Sequence, residues 1–212
     1  MVTATLRALR RNHAAKVAVG VIALVVFVGL FAPLIAPHDP NLQNLGLKLR
    51  PPFWLAGSEP GYLLGTDKLG RDVLSRIMYG TRVSLLVGLA ATLLSGVVGA
   101  VIGVVSGYYR GWREQVFMRL ADVQLAFPSI LLALSIIAVL GPSLLFLIIV
   151  LGLTGWVSYA RVVRAEVLSL RQREFVTAAR AIGDTGTQIM VRHLLPNIVA
   201  PWPPSAPSRW PR

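Results

Sequence analysis

Cysteine is absent from the 212-residue chain, which excludes a disulfide framework, thiol catalysis and any cysteine-ligated metal. Charge is also scarce: 14% of residues are charged against 55% hydrophobic, and the mean hydropathy is +0.65. A soluble domain of this length needs far more charge to cover its surface. Histidine occurs only at His13, His38 and His193. These positions are far apart and outside every long apolar run, so neither a metal cluster nor an intramembrane Ser–His pair is expected. An intramembrane hydrolase is disfavoured for the same reason. Acidic residues number 9 against 21 basic ones, a net charge of +12. No aromatic-interleaved basic domain or recognition motif accompanies that charge, so no nucleic-acid partner is expected. The excess reads instead as the orientation bias of a membrane protein.

Long uncharged runs are what the chain does have. Residues 1–16 are basic, and 17–36 carry no charge, enough helix to cross a hydrocarbon core about 30 Å thick. A secretory signal is the competing reading, but signal cores run to about 7–15 residues. This run is longer and further spans come after it, so it reads as a retained anchor. Residues 37–82 are polar and rich in proline and glycine. Near their end, Thr66 or Asp67 can cap a surface helix carrying Leu69, Val73 and Ile77 on one face. A second span is expected near 83–107. Within it Ser95, Gly99, Gly103 and Gly107 recur every four residues, a small-residue seam that lets two helices approach closely in lipid. Residues 123–160 would make a helix of about 57 Å. Gly141-Pro142 divides this run into spans near 120–140 and 143–162.

The expected fold is thus all-α, a polytopic membrane bundle with four transmembrane helices. Thirteen basic residues lie on the side of the N-terminus and of the 165–200 loop, against six on the side of 37–82. That bias places the N-terminus in the cytoplasm and the 37–82 loop outside. Asp122, at the inner edge of the third span, is the ionisable group nearest the membrane interior. A pairing with Arg119 or water is expected for it.

After the fourth span, Phe175, Ala178, Ala179 and Ile182 fall at i, i+3, i+4 and i+7, an apolar stripe with small residues at its centre. Gly183 is a helix stop. Thr185 and Gln188 have capping-box spacing for a second helix, with apolar Ile189, Met190, Leu194 and Leu195 before Pro196 ends it. Periodicity alone leaves two readings open: a linker lying on the inner leaflet, or a surface gripped by another protein.

The segment from Glu174 to Pro196 resembles the EAA loop of bacterial ABC-importer permeases. Thr177-Ala178-Ala179 is followed by Gly183 after three residues, and His193-Leu194-Leu195-Pro196 stands after a further nine. Thr177 departs from the usual acidic residue, and His193 from the usual isoleucine. The stretch from Leu64 to Arg76, with Ala36-Pro37-His38-Asp39-Pro40, looks like the C-type subunit of dipeptide, oligopeptide and nickel permeases. The resemblance runs from about residue 10 to residue 200. It implies a permease subunit that does no bond chemistry and holds no cofactor of its own, ATP being bound by partner subunits. It further implies a second permease subunit, a pair of ABC ATPases and an external solute-binding protein as partners, in the bacterial cytoplasmic membrane. Peptides, nickel chelates or other small solutes would be the cargo. The docking loop would comprise Glu174, Phe175, Thr177, Ala178, Ala179, Ile182, Gly183, Leu195 and Pro196. On that basis Gly183→Asp or Ala179→Arg is expected to uncouple ATP hydrolysis from uptake while leaving membrane insertion intact.

The resemblance also implies six spans, whereas residues 201–212 are proline-rich and cannot form a spanning helix. A frameshift or truncation is the expectation, and resequencing that found no apolar run in another frame downstream would sink it. The alternative function is a non-transporting remnant or membrane anchor that inserts but completes no pore.

Overall fold

The computed structural model describes residues 12–199. Arg7, Arg10, Arg11 and the proline-rich segment 201–212 lie outside the described residues. Regular structure among the described residues is helical, with one isolated bridge between Thr66 and Asp72. The chain divides into two compact units, residues 1–88 and 89–212.

In the first unit, α1 (His13–Ile35) starts at Asn12, whose side chain accepts from the amides of Ala14 and Ala15, a capping arrangement that satisfies two free donors. Its apolar side chains are largely exposed, as lipid contact requires. Gly29 is the exception: a Cβ there would lie 2.8 Å from Leu85 Cδ1.

Turns, not a hydrophobic core, order the loop after α1. Gly65 and Gly70 adopt φ values of 73° and 72°. A Cβ at Gly70 would sit 1.7 Å from the Asn44 carbonyl oxygen, so no other residue fits this approach. Between these glycines Asp67 accepts from the amides of Leu69 and Arg71 and from the guanidinium of Arg71, and pairs with Arg76. Partial desolvation pushes its carboxyl upward. The Arg71 and Leu69 amides and the Arg71 guanidinium outweigh that effect and hold its pKa at about 2. The stability this group contributes is complete above the unfolded value of 3.8 and is lost as pH falls through about 2. Asp67→Asn should therefore speed hydrogen exchange of the Leu69 and Arg71 amides near neutral pH, with the difference closing toward pH ~2. An exchange difference independent of pH would refute this role.

The helix after the loop differs from expectation. Neither Thr66 nor Asp67 caps it. Asp72 does, accepting from the amides of Leu74 and Ser75 and from the Ser75 hydroxyl. Instead of a surface helix and then a span, one helix, α2 (Val73–Tyr109), runs unbroken for 37 residues. No proline interrupts it, and Gly80 lies in open space where it imposes no turn.

The second unit contains the C-terminal part of α2, from Leu89 on, then α3 (Gly111–Ala126), α4 (Ser129–Leu140) and α5 (Leu144–Leu170). The third span, expected near 120–140, is instead the pair α3 and α4, bent by 87° at Phe127-Pro128. The cause is local. Proline removes an amide donor and pushes the residue before it out of helical geometry; Phe127 has φ −97° and ψ 133°. Gly141, at φ 87°, makes the turn into α5.

The small-residue seam meets α5. Ser95 Oγ donates to the Gly152 carbonyl at 2.8 Å. A Cβ at Gly99 would lie 2.6 Å from the Trp156 carbonyl oxygen, and one at Gly103 2.7 Å from that of Ala160. Gly107 lies against Arg164 and Val167. Residue numbers rise together along both helices, so α2 and α5 are parallel. The end of α2 and the start of α5 therefore lie at opposite ends of the pair, about 30 Å apart at 1.5 Å per residue. The segment between them must travel that length, which makes α3 and α4 a broken span rather than a re-entrant loop. With α1, α2 and α5, each long and apolar enough to cross a membrane, the described residues supply four candidate crossings.

Gln124 fastens α3 to α5. Its amide donates to the Thr154 carbonyl at 2.7 Å and accepts from Trp156 Nε1 at 2.7 Å. Gln124→Leu would leave a part-buried indole donor unpaired. Its expected cost is about 1–2 kcal/mol in denaturant unfolding of the detergent-solubilised protein, and unchanged unfolding would rule out the clasp.

Candidate functional site

Past α5 the chain turns through Arg171 to Arg173 into α6 (Glu174–Ala181). Glu174 in its first turn and Arg180 in its last both suit the helix dipole. The helix presents two faces. Val176 and Ala179 are buried at 0% and 2% exposure, in a cluster with Val104, Val167, Leu170, Ile189, Met190 and Leu194. Phe175, Ala178 and Ile182 face outward, Ile182 at 83% exposure. Glu174, Thr177 and Gly183 are exposed beside them. The expected stripe is thus split: Ala179 belongs to the packed face, since burying Val176 one turn before it rotates the helix that way. Its small size lets α6 lie close to the helices beneath.

Gly183 ends α6 at φ 92° with nothing within 4 Å of a notional Cβ, so the positive φ, not crowding, demands glycine there. The Asp184 amide donates to Ala179 and the Gly183 amide to Arg180, satisfying two terminal carbonyls of the helix. Thr185 then opens α7 (Gly186–Gln188) through a reciprocal capping box with Gln188.

Beyond Gln188 the backbone departs from the expected single helix ending at Pro196. Ile189–Leu194 is a π-helix, and a last helix, α8 (Leu195–Val199), runs through Pro196 rather than stopping before it. The wider π turn shifts the backbone pairing by one residue, and a proline in the first turn of the next helix forfeits no needed donor. Leu195 and Pro196 are consequently exposed. His193 contacts Asp184 at 3.0 Å, and its backbone carbonyl accepts from the Asn197 side-chain Nδ2 at 2.7 Å. The histidine that replaces the customary isoleucine thus ties the second arm of the hairpin to the first.

The hairpin is anchored to both long helices beneath it. Arg171 Nη1 donates to the Tyr108 carbonyl at 3.0 Å, and the Arg180 guanidinium lies 5.5 Å from the Tyr108 ring. Val167 and Leu170 of α5 and Val104 of α2 supply the floor. Nearby, Asp122 pairs with Arg161 of α5 at 2.7 Å, not with Arg119 as expected, because α5 packs antiparallel beside α3 and brings Arg161 within reach. Arg164 pairs in the same way with Glu114.

Residues 99–212, more than half of the chain, match the family model described as binding-protein-dependent transport system inner membrane component. The chain belongs to that family. Residues 3–52 separately match the N-terminal transmembrane domain of oligopeptide transport permease C. Among curated relatives, the di/tripeptide transport system permease protein DppC of Pseudomonas aeruginosa is 43% identical over 84% of this chain and 59% of its own length. The dipeptide transport system permease protein DppC of Haemophilus influenzae is 39% identical over 91% of this chain and 65% of its own length. The oligopeptide transport system permease protein OppC of Bacillus subtilis is 34% identical over 89% of this chain and 60% of its own length. The chain thus spans 59–65% of the length of these relatives. It is a multi-pass membrane protein of a transport family.

Proposed function

We propose that the chain is a permease subunit of an ABC importer for peptides, working with a second permease subunit, ABC ATPases and an external solute-binding protein. Energy comes from ATP bound by the ATPases, and the chain itself holds no cofactor. The N-terminus and the hairpin face the cytoplasm in this reading, as the basic-residue bias suggests. One observation carries it: an exposed apolar face of α6, Phe175, Ala178 and Ile182, stands on a core shared with α2 and α5. A force applied to that face is delivered into two membrane-crossing helices at once, through side chains that cannot yield without opening the core. A linker resting on lipid needs no such foundation.

The test is complementation. A strain lacking its own dipeptide permease subunit, given this 212-residue chain with the cognate partners, should import labelled dipeptide. Blue-native electrophoresis should show the chain in one complex with the ATPases. Insertion without assembly would instead identify a membrane anchor or remnant.

A further inference from the structure

The elbow between α2 and α3 is a joint rather than a turn of continuous helix. Arg110 and Gly111 follow one another at φ 58° and 63°, which breaks the helical path after Tyr109. Arg110 also has ψ −162°, a backbone region that suits glycine and persists at other residues only where the surroundings enforce it. Glu114, one turn into α3, supplies that enforcement. Its Oε2 lies 4.0 Å from Arg110 Nε, while Oε1 accepts from Arg164 Nε at 2.7 Å and from Nη2 of the same guanidinium. The Glu114 side chain is largely shielded from solvent, unlike either member of the Asp122–Arg161 pair, so this bridge is the stronger of the two.

The two ends of α3 are held differently. At the far end Ala121 is fully buried against Trp156, Val157 and Ala160, and Gln124 is clasped by Thr154 and Trp156. From Gly111 to Leu120 no residue of α3 is buried. An open cleft of about 540 Å³ lies along that half, lined by Glu114, Gln115, Met118, Arg119, Asp122 and by Arg164 of α5. A helix packed at one end and bridged across a cleft at the other can turn about its packed end. The bridge is therefore what decides whether the elbow end moves with α5 or stays behind.

We propose that Glu114 is a positioning residue for transport: through Arg164 it obliges the elbow end of α3 to follow α5 when the hairpin moves. This role rests on the transport reading above. Arg164 stands on the helix that runs directly into the hairpin, and its backbone lies against Gly107 of the seam. Displacement of α5 thus reaches the guanidinium first and the carboxylate next, a contiguous chain of the kind that carries coupling between distant sites. Without the carboxylate, α5 would slide past the lower half of α3, and the movement would not reach the broken span.

Amide hydrogen exchange of the full purified chain and transport by the reconstituted complex test it together. In Glu114→Gln the amides of Gln115 to Arg119 should exchange about tenfold faster, while those of Gln124, α5 and α6 keep the parent rate. In proteoliposomes holding the chain with its partner subunits, ATP hydrolysed per dipeptide imported should rise several-fold. Arg164→Gln should match both effects, and the double variant should be no worse than either single one. Glu114→Asp, which keeps the charge, should recover most of the coupling. Unchanged exchange in Glu114→Gln, or faster exchange with an unchanged ATP ratio, overturns the proposal. Acceleration spread equally through α5 and α6 also overturns it, by making Glu114 a residue of general stability. A parent chain that imports nothing removes the transport reading and this role together. A parent that imports while the variant keeps its ATP ratio removes this role alone.

Discussion

Gly103→Leu should separate α2 from α5. The notional Cβ already lies 2.7 Å from the Ala160 carbonyl oxygen and from Val163 Cβ, so the larger side chain cannot be housed by rotating a neighbour. Overpacking a fitted interface costs about 1–3 kcal/mol, and contact with backbone puts this substitution at or above the upper end. Gly99→Leu should behave alike, whereas Gly96→Leu, where nothing lies within 4 Å, should be silent. The readout is a disulfide between cysteines introduced at Ser95 and Gly155, whose notional Cβ lies 3.1 Å from that of Ser95, in a chain that has no cysteine of its own. It should form in the parent and fail in the Gly103 variant. Undiminished cross-linking would show that the seam does not hold the helices together.

The second large effect separates two adjacent alanines. Ala178→Arg places a charge on the exposed face of α6 and should uncouple ATP hydrolysis from uptake, lowering transport on the order of tenfold, as loss of an interface hot spot does. Membrane insertion and thermal unfolding should stay as in the parent. Ala179→Arg drives a charge into a site 2% exposed, among Val104, Leu170 and Ile189. It should unfold the hairpin rather than merely uncouple it, because a buried unpaired charge is far costlier than a lost contact. This departs from the uncoupling without structural damage that the sequence alone suggests for Ala179. Equal unfolding temperatures for the two variants would reverse the assignment of faces.

Much of the architecture was legible because lipid simplifies the code. An uncharged run of sufficient length has little choice but to span, and glycines in register report a close approach whatever the partner. The partner itself was not legible, since the seam at Gly99 and Gly103 is met by backbone carbonyls of Trp156 and Ala160, which no side-chain pattern announces. Within the hairpin, Gly183 and the Thr185–Gln188 box could be read from residue type, because positive φ and reciprocal capping each demand particular side chains. The orientation of α6 could not. Val176 is apolar and lies next to the stripe, and only its contact with Ile189 and Leu194 decides which way the helix turns. The π turn likewise arises from packing Ile189, Met190 and Leu194 into one floor. Phe127-Pro128 was the missed signal: a proline inside a long apolar run marks a break, and the α3–α4 bend falls there.

The parallel pairing of α2 with α5 also sets a timetable for assembly. Ser95 and the Gly152 carbonyl it binds are 57 residues apart, and the returning broken span must be made and threaded between them. At about 5–20 residues synthesised per second, α2 waits in the bilayer for roughly 3–11 s before its seam can close. During that interval its row of bare glycines lies open to any passing helix. Any helix that pairs with the row first would block α5, so the speed with which the rest of the chain is made bears directly on how much of it reaches this fold.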